Sequence, residues 1–216
     1  MIDATEGDIP LLGVHYQQIQ PSVAAARIVE FYWTLEDKAP RSAAQIVIPD
    51  GRAGMIFNFA RPFESAKKGG WTSQPECFFV GKITGPLLLR PSGTTVMIGV
   101  QFRPHGATQV LGLPMALLND LAIDLQDQPQ QLRREFERIR NLPSQSLSLQ
   151  ALDALMSTMA TRNHVDNERL ACAVRVIEQS GGLMNIDRVA RSVGWTARQL
   201  QRRFKDGVGI SPKYFA

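Results

Sequence analysis

Cysteine is nearly absent from this chain: its 216 residues include two, Cys77 and Cys172, and neither stands at Cys-x-x-Cys or Cys/His ligand spacing. That excludes a disulfide framework or a zinc site and leaves two buried, reduced thiols as the expectation. Histidine is as scarce. His15, His105 and His164 are scattered, with no His-x-His followed by a Glu and a further His to build the metal site of a catalytic cupin. An enzyme is therefore not expected, nor a metal or other cofactor. No apolar run approaches the ~18 residues that a membrane span needs. The opening MIDATEGDIPLL carries acids where a secretion signal carries bases. The expectation is a cytoplasmic protein with no membrane partner.

Charge is present but unevenly placed. The formal net charge is +4. From Asn185 onward there are seven basic residues against two acidic, whereas residues 1–184 carry 17 basic and 18 acidic. A neutral body with a short basic end is the electrostatic footprint of a phosphate-binding surface, although a solvated basic face gives the same count.

Up to about Phe102 the periodicity is that of strands. Thr94–Phe102 alternates, with Val96, Ile98, Val100 and Phe102 on one face, and predicts a half-buried strand. Runs rich in β-branched and aromatic residues predict others at Val29–Leu35, Gln45–Ile48, Met55–Phe59, Cys77–Ile83 and Leu87–Arg90. Pro49-Asp50-Gly51 and Lys68-Gly69-Gly70 supply turns between them. Trp33, Trp71, Phe57 and Phe79 read as core before pocket. Short strands at this spacing suit a β-sandwich or small barrel.

After Arg103-Pro104 the pattern turns helical. Arg103 and His105 are expected to cap or pair at the strand-helix junction, with a share in an effector pocket as the sharper alternative. Pro129 opens a helix that runs to Arg140, and Ser148 is read as the cap of the next, with Leu149, Leu152, Met156 and Met159 as its stripe. Thr161–His164 reads as a linker. A third helix is expected from about Asp166 to Gln179, with Leu170, Ala173, Val174 and Ile177 on one face and Gly181-Gly182 beyond its end.

The last segment is the most informative. Asn185 caps a short helix whose Ile186, Val189, Ala190 and Val193 share a face, and Gly194 can take the left-handed turn that ends it. Thr196 caps the next helix, with Leu200 and Phe204 inward and Arg198, Gln201, Arg202 and Lys205 outward. Two helices on so short a turn cross steeply only with a small residue at their contact, here Ala190. Arg and Gln are the side chains that grip guanine and adenine edges with paired hydrogen bonds. Lys205 and Lys213 are better placed for phosphates.

The run from Ile186 through Lys205, followed by Gly207-Val-Gly-Ile-Ser-Pro-Lys-Tyr-Phe215, resembles the first helix-turn-helix of AraC-type transcriptional regulators. The resemblance rests on Thr196, Leu200, Arg202 and Phe204 and on the turn Gly209-Ile-Ser-Pro212. It makes Arg198, Gln201 and Arg202 the base-facing positions, and Thr196, Lys205 and Lys213 further DNA contacts. The earlier chain resembles a sensor domain of one subgroup, through Phe31-Tyr-Trp33, Ile48-Pro-Asp-Gly51, Ile56-Phe-Asn-Phe59, Gly99–Ala107 and Leu111-Gly-Leu-Pro114.

The implied α+β organisation has three parts. A cupin-like β-domain for sensing or dimerisation spans residues 1–103, a helical connector 104–162, and a partial DNA-binding domain 163–216. Double-stranded DNA, a small-molecule effector and a second copy are the implied partners. Only four residues follow Pro212, so the chain is expected to be truncated, without the second helix-turn-helix such regulators carry. The alternative is a small-molecule-binding or cupin-like enzymatic domain that binds no DNA.

Overall fold

Short apolar runs separated by Gly and Pro give a chain that opens with strands and closes with helices. The strands are β1 Ala4–Thr5, β2 Val14–Ile19, β3 Val29–Asp37, β4 Gln45–Val47, β5 Gly54–Asn58, β6 Glu64–Lys67, β7 Gly70–Ser73, β8 Cys77–Val80, β9 Leu87–Arg90, β10 Thr95–Phe102 and β11 Ala122–Asp124. The helices are α1 Ala107–Leu111, α2 Gln130–Arg140, α3 Gln145–Thr161, α4 Val165–Gln179, α5 Ile186–Ser192, α6 Ala197–Val208 and α7 Pro212–Phe215. The computed structural model describes residues 4–5, 14–38, 43–48, 51–161, 165–181, 183 and 185–216. Apart from Thr161, the last residue of α3, the expected linker lies outside these residues, as do Pro49, Asp50 and Gly182.

Among the described residues the strands form two antiparallel sheets in an α+β arrangement. One has the order β1-β2-β3-β10-β5-β8-β11 and the other β4-β9-β6-β7. Lys68-Gly69-Gly70 makes the expected turn, between β6 and β7, with both glycines at positive φ. The switch from strand to helix after Phe102 is incomplete. β11 returns from the helical part to pair with β8, and its three residues are too short to leave a periodic signal.

β10 corrects the expectation of a half-buried strand. It lies between β3 and β5, and Thr95, Met97 and Gly99 on its supposedly open face are buried like Ile98, Val100 and Phe102. The cover over Gly99 is its cross-strand partner Trp33, whose ring would stand 1.8 Å from a Cβ at that position. Trp33 in turn stacks on Tyr16 of β2, with centroids 6.3 Å apart. Gly99→Ala is therefore expected to destabilise the fold by about 1 to 3 kcal/mol through overpacking. Trp33→Leu should recover part of that loss in the double variant, and denaturant melts of the three proteins measure it.

The larger sheet shares one apolar core with α1, α2 and α3, built around Tyr32, Phe57, Phe79, Phe102, Phe136, Leu152 and Met156. Phe57 meets Phe136 edge to face at 5.9 Å. Each such fully buried side chain contributes about 1.5 to 3 kcal/mol. Cys77 belongs to this core and burial pushes its thiol up to about 12, whereas Cys172 is only half-buried, against the expectation of two buried thiols.

Ser148 does not cap α3. The helix begins earlier, at Gln145, and Ser144 Oγ accepts the Leu147 N–H at 3.3 Å. Ser148 is buried inside the helix, where its hydroxyl donates to the Ile139 carbonyl at 2.8 Å and joins α3 to α2.

Candidate nucleic-acid interface

A second, smaller core organises the end of the chain. Leu170, Ala173, Val174 and Ile177 of α4 pack against Val189, Ala190 and Val193, and against Trp195, Leu200, Phe204 and Val208. α5 starts where Asn185 accepts the Asp187 N–H at 2.7 Å, and Gly194 follows it at φ +69°. The Trp195 N–H donates back to the Ala190 carbonyl at 2.9 Å, which closes the turn. A side chain larger than alanine at 190 would stand in this contact, because the residue is 1% exposed.

α6 begins with a reciprocal cap. Thr196 Oγ1 accepts the Gln199 N–H at 3.2 Å while Gln199 Oε1 accepts the Thr196 N–H at 2.9 Å. The sequence reading found Thr196 but not Gln199 as its partner; Thr-x-x-Gln spacing is the signal that identifies it. The helix then divides cleanly. Leu200, Phe204 and Val208 are fully buried, and Arg198, Gln201, Arg202 and Lys205 are exposed together with Thr196 and Lys213. Arg203 turns to the side, over the Trp195 ring at 5.4 Å. The six predicted contact residues thus occupy the outside of one helix, its cap and the helix after it.

The far end of α6 is fixed to the sheet body. Gly209 sits at φ +91° and its carbonyl accepts from Asn119 Nδ2 at 2.9 Å. Ser211 then caps α7 by accepting the Tyr214 N–H at 3.2 Å, with Pro212 in the first turn. Phe215 closes against Phe204 at 5.3 Å, and Lys82 of the sheet body lies over the Phe215 ring at 5.4 Å.

Arg103 and His105 do pair at the junction after β10. Arg103 Nε donates to the Ala26 carbonyl at 2.6 Å, and His105 Nε2 stands 3.2 Å from the Arg27 carbonyl. A carbonyl only accepts, so Nε2 carries the proton and Nδ1 presents a lone pair. Burial first, and then the charges of Arg103 and Arg175, lower the His105 pKa from 6.5 to about 4. The folded protein therefore holds the neutral ring while the unfolded chain takes up a proton below about 6.5. This contribution to stability is fully present above that pH and is lost as the pH falls toward about 4, by about 3 kcal/mol in all. Urea melts across that range should show a steeper acid loss for the wild type than for His105→Gln; parallel curves would overturn the assignment.

Trp33 is occupied in covering Gly99 and stacking on Tyr16. Trp71 lies under the Arg90 guanidinium at 4.3 Å, and Phe57 and Phe79 are fully buried core. Among the described residues no three His, Cys, Asp or Glu side chains group in a way that could hold a metal ion, and no helix is long and apolar enough to cross a membrane.

A family described as a domain of unknown function, DUF6597, matches residues 17–124. No curated protein sequence matches the chain. Among solved structures, the AraC-like transcriptional activator CuxR is 11% identical, with a TM-score of 0.37, over 99% of this chain and 83% of its own. The hydroxypropylphosphonic acid epoxidase of S. wedmorenis is 12% identical, TM-score 0.31, over 42% of this chain and 51% of its own. A 2-hydroxyethylphosphonate dioxygenase is 10% identical, TM-score 0.32, over 97% of this chain and 47% of its own. The match thus spans about half the length of each of these two enzymes.

Proposed function

The chain belongs to the DUF6597 family, and we propose that this member is a sequence-specific DNA-binding transcriptional regulator rather than an enzyme. In this reading α5 and α6 form a helix-turn-helix and α6 enters the major groove. The observation that carries the proposal is the division of α6. Its apolar residues Leu200, Phe204 and Val208 are consumed by the small core, and its exposed residues are Arg198, Gln199, Gln201, Arg202, Lys205 and Asp206, three bases to one acid. Such a predominantly basic, amide-bearing face suits base edges and phosphates.

Arg198, Gln201 and Arg202 are assigned to base edges; Thr196, Lys205 and Lys213 are assigned to the backbone on either side. Residues 163–216 form the DNA-binding part. Residues 1–103, the cupin-like part in this reading, serve sensing or dimerisation, with 104–162 as the connector. The packing of α1, α2 and α3 into the sheet's core supports treating the first two parts as one body.

Selection of duplexes from a random pool tests the proposal. Convergence on a short motif is expected, whereas recovery of unrelated sequences in equal yield would count decisively against base reading. On the selected duplex, Lys205→Ala should weaken binding to all sequences alike and reduce the slope of log affinity against log salt by about 1. Anisotropy titrations at several salt concentrations measure that slope.

A further inference from the structure

A cleft of about 730 Å³ separates the sheet body from α4, a volume within the ~300 to 1,000 Å³ of small-molecule sites. Its two walls come from different parts of the chain. The junction after β10 contributes Arg103, His105 and Gln109, and α4 contributes Glu168, Arg175 and Glu178.

The charges in the cleft do not cancel. Arg27 is neutralised by Glu168 at 3.0 Å and Arg52 by Glu30 at 2.6 Å. Arg103 and Arg175 also stand in the lining, against Glu178 as the further acid among the described residues there. Arg103 is already steered by its Nε bond to the Ala26 carbonyl, which limits the freedom that a guanidinium must otherwise lose on gripping an anion.

The walls also hold two unused acceptors. His105, 6% exposed, keeps its Nδ1 without a hydrogen-bond partner, and Gln109 keeps its Oε1 in the same condition. One turn apart, both residues line the cleft. Buried polar atoms are rarely left this way. A ligand hydroxyl, with one O–H to donate, would serve one of them.

We propose that this cleft binds a small hydroxylated, polyvalent oxyanion, a phosphate ester or a hydroxy di- or tricarboxylate, between Arg103 on one wall and Arg175 on the other. The site gives the sensing half of the DNA-binding reading a place and a ligand chemistry. It rests on that reading only for its regulatory meaning, and its test is run without DNA, so either can fail alone.

Calorimetric titration of the full chain with citrate, and separately with pyrophosphate, is the experiment, with sodium chloride at matched ionic strength as the blank. Saturable binding of at least one probe is expected; citrate alone points to carboxylates and pyrophosphate alone to phosphates. Arg175→Glu, on an exposed helix face, should weaken it about tenfold or more, as should Arg103→Gln, from the loss of one charge-assisted bond. Arg134→Glu makes the same change of charge on the exposed face of α2, away from the cleft, and should alter binding less than about twofold. No heat with either probe, or an equal loss in Arg134→Glu, overturns the proposal. Melting temperatures of the variants exclude unfolding as the cause.

Discussion

Arg202→Ala is expected to lower affinity for the selected duplex roughly 10- to 100-fold and to erase the preference at one base pair. The magnitude is that of one bidentate Arg-guanine contact, about 1 to 3 kcal/mol. Arg202 is exposed on α6, one residue before the sideways Arg203 and two before the buried Phe204. Losing it removes no core packing, so the melting transition should stay within about 0.5 kcal/mol of wild type. Arg202→Lys restores the charge but not the planar pair of donors and should recover affinity without recovering the preference. Titrating each variant against the selected duplex and its single-base substitutions separates these effects. If Arg202→Ala binds every duplex as the wild type does, Arg202 reads no base.

Asp153→Ala should cost the fold about 2 to 4 kcal/mol. Asp153 projects from α3 into the main core, and its Oδ1 accepts both the Tyr32 hydroxyl and the Ser22 N–H, each at 3.0 Å. Tyr32 is 0% exposed, and burial followed by the Asp153 charge raises its hydroxyl pKa far out of the working range. Alanine would strand the buried Tyr32 hydroxyl, at about 1 to 3 kcal/mol, and release the partly buried Ser22 N–H. Asp153→Asn keeps an acceptor oxygen and should lose less, and Tyr32→Phe alone, which removes donor rather than acceptor, should cost about 1 kcal/mol. Chemical denaturation of the three variants ranks them. A melt for Asp153→Ala within about 0.5 kcal/mol of wild type would show that this contact contributes little.

Four of the strands that the sequence located serve the core, whereas β4 and β9, located by the same signal, are exposed or half-buried. β3, β5, β8 and β10 are runs of β-branched and aromatic residues because both of their faces meet other apolar groups. β2, with His15, Gln17 and Gln18, and β6, with Glu64 and Lys67, gave no such signal. Their backbones pair in the sheets while their side chains are largely polar. Ser148 was read as a cap because serine before an apolar stripe has that meaning locally; the partner that overrides it, the Ile139 carbonyl, lies on the preceding helix.

The candidate interface was far more legible than the cleft. Cap, turn glycine, inward apolar pair and outward charges of α6 all lie between Gly194 and Lys205, where local chemistry decides the conformation. The cleft draws its lining from residues as distant as Arg27, Arg103 and Arg175. No periodicity marks such a set, and only the closure of α4 over the junction after β10 brings it together.

α4 has no idle side. Ala173, Val174 and Ile177 interlock with α5 and α6, while Glu168, Arg175 and Glu178 border the cleft opposite. A close-packed interior transmits strain where a fluid one would dissipate it. A lateral push on this rod from the cleft is therefore delivered to the footing of α6, whose other end is tethered to the sheet at Gly209. With one end tethered, α6 would answer a displaced footing by pivoting.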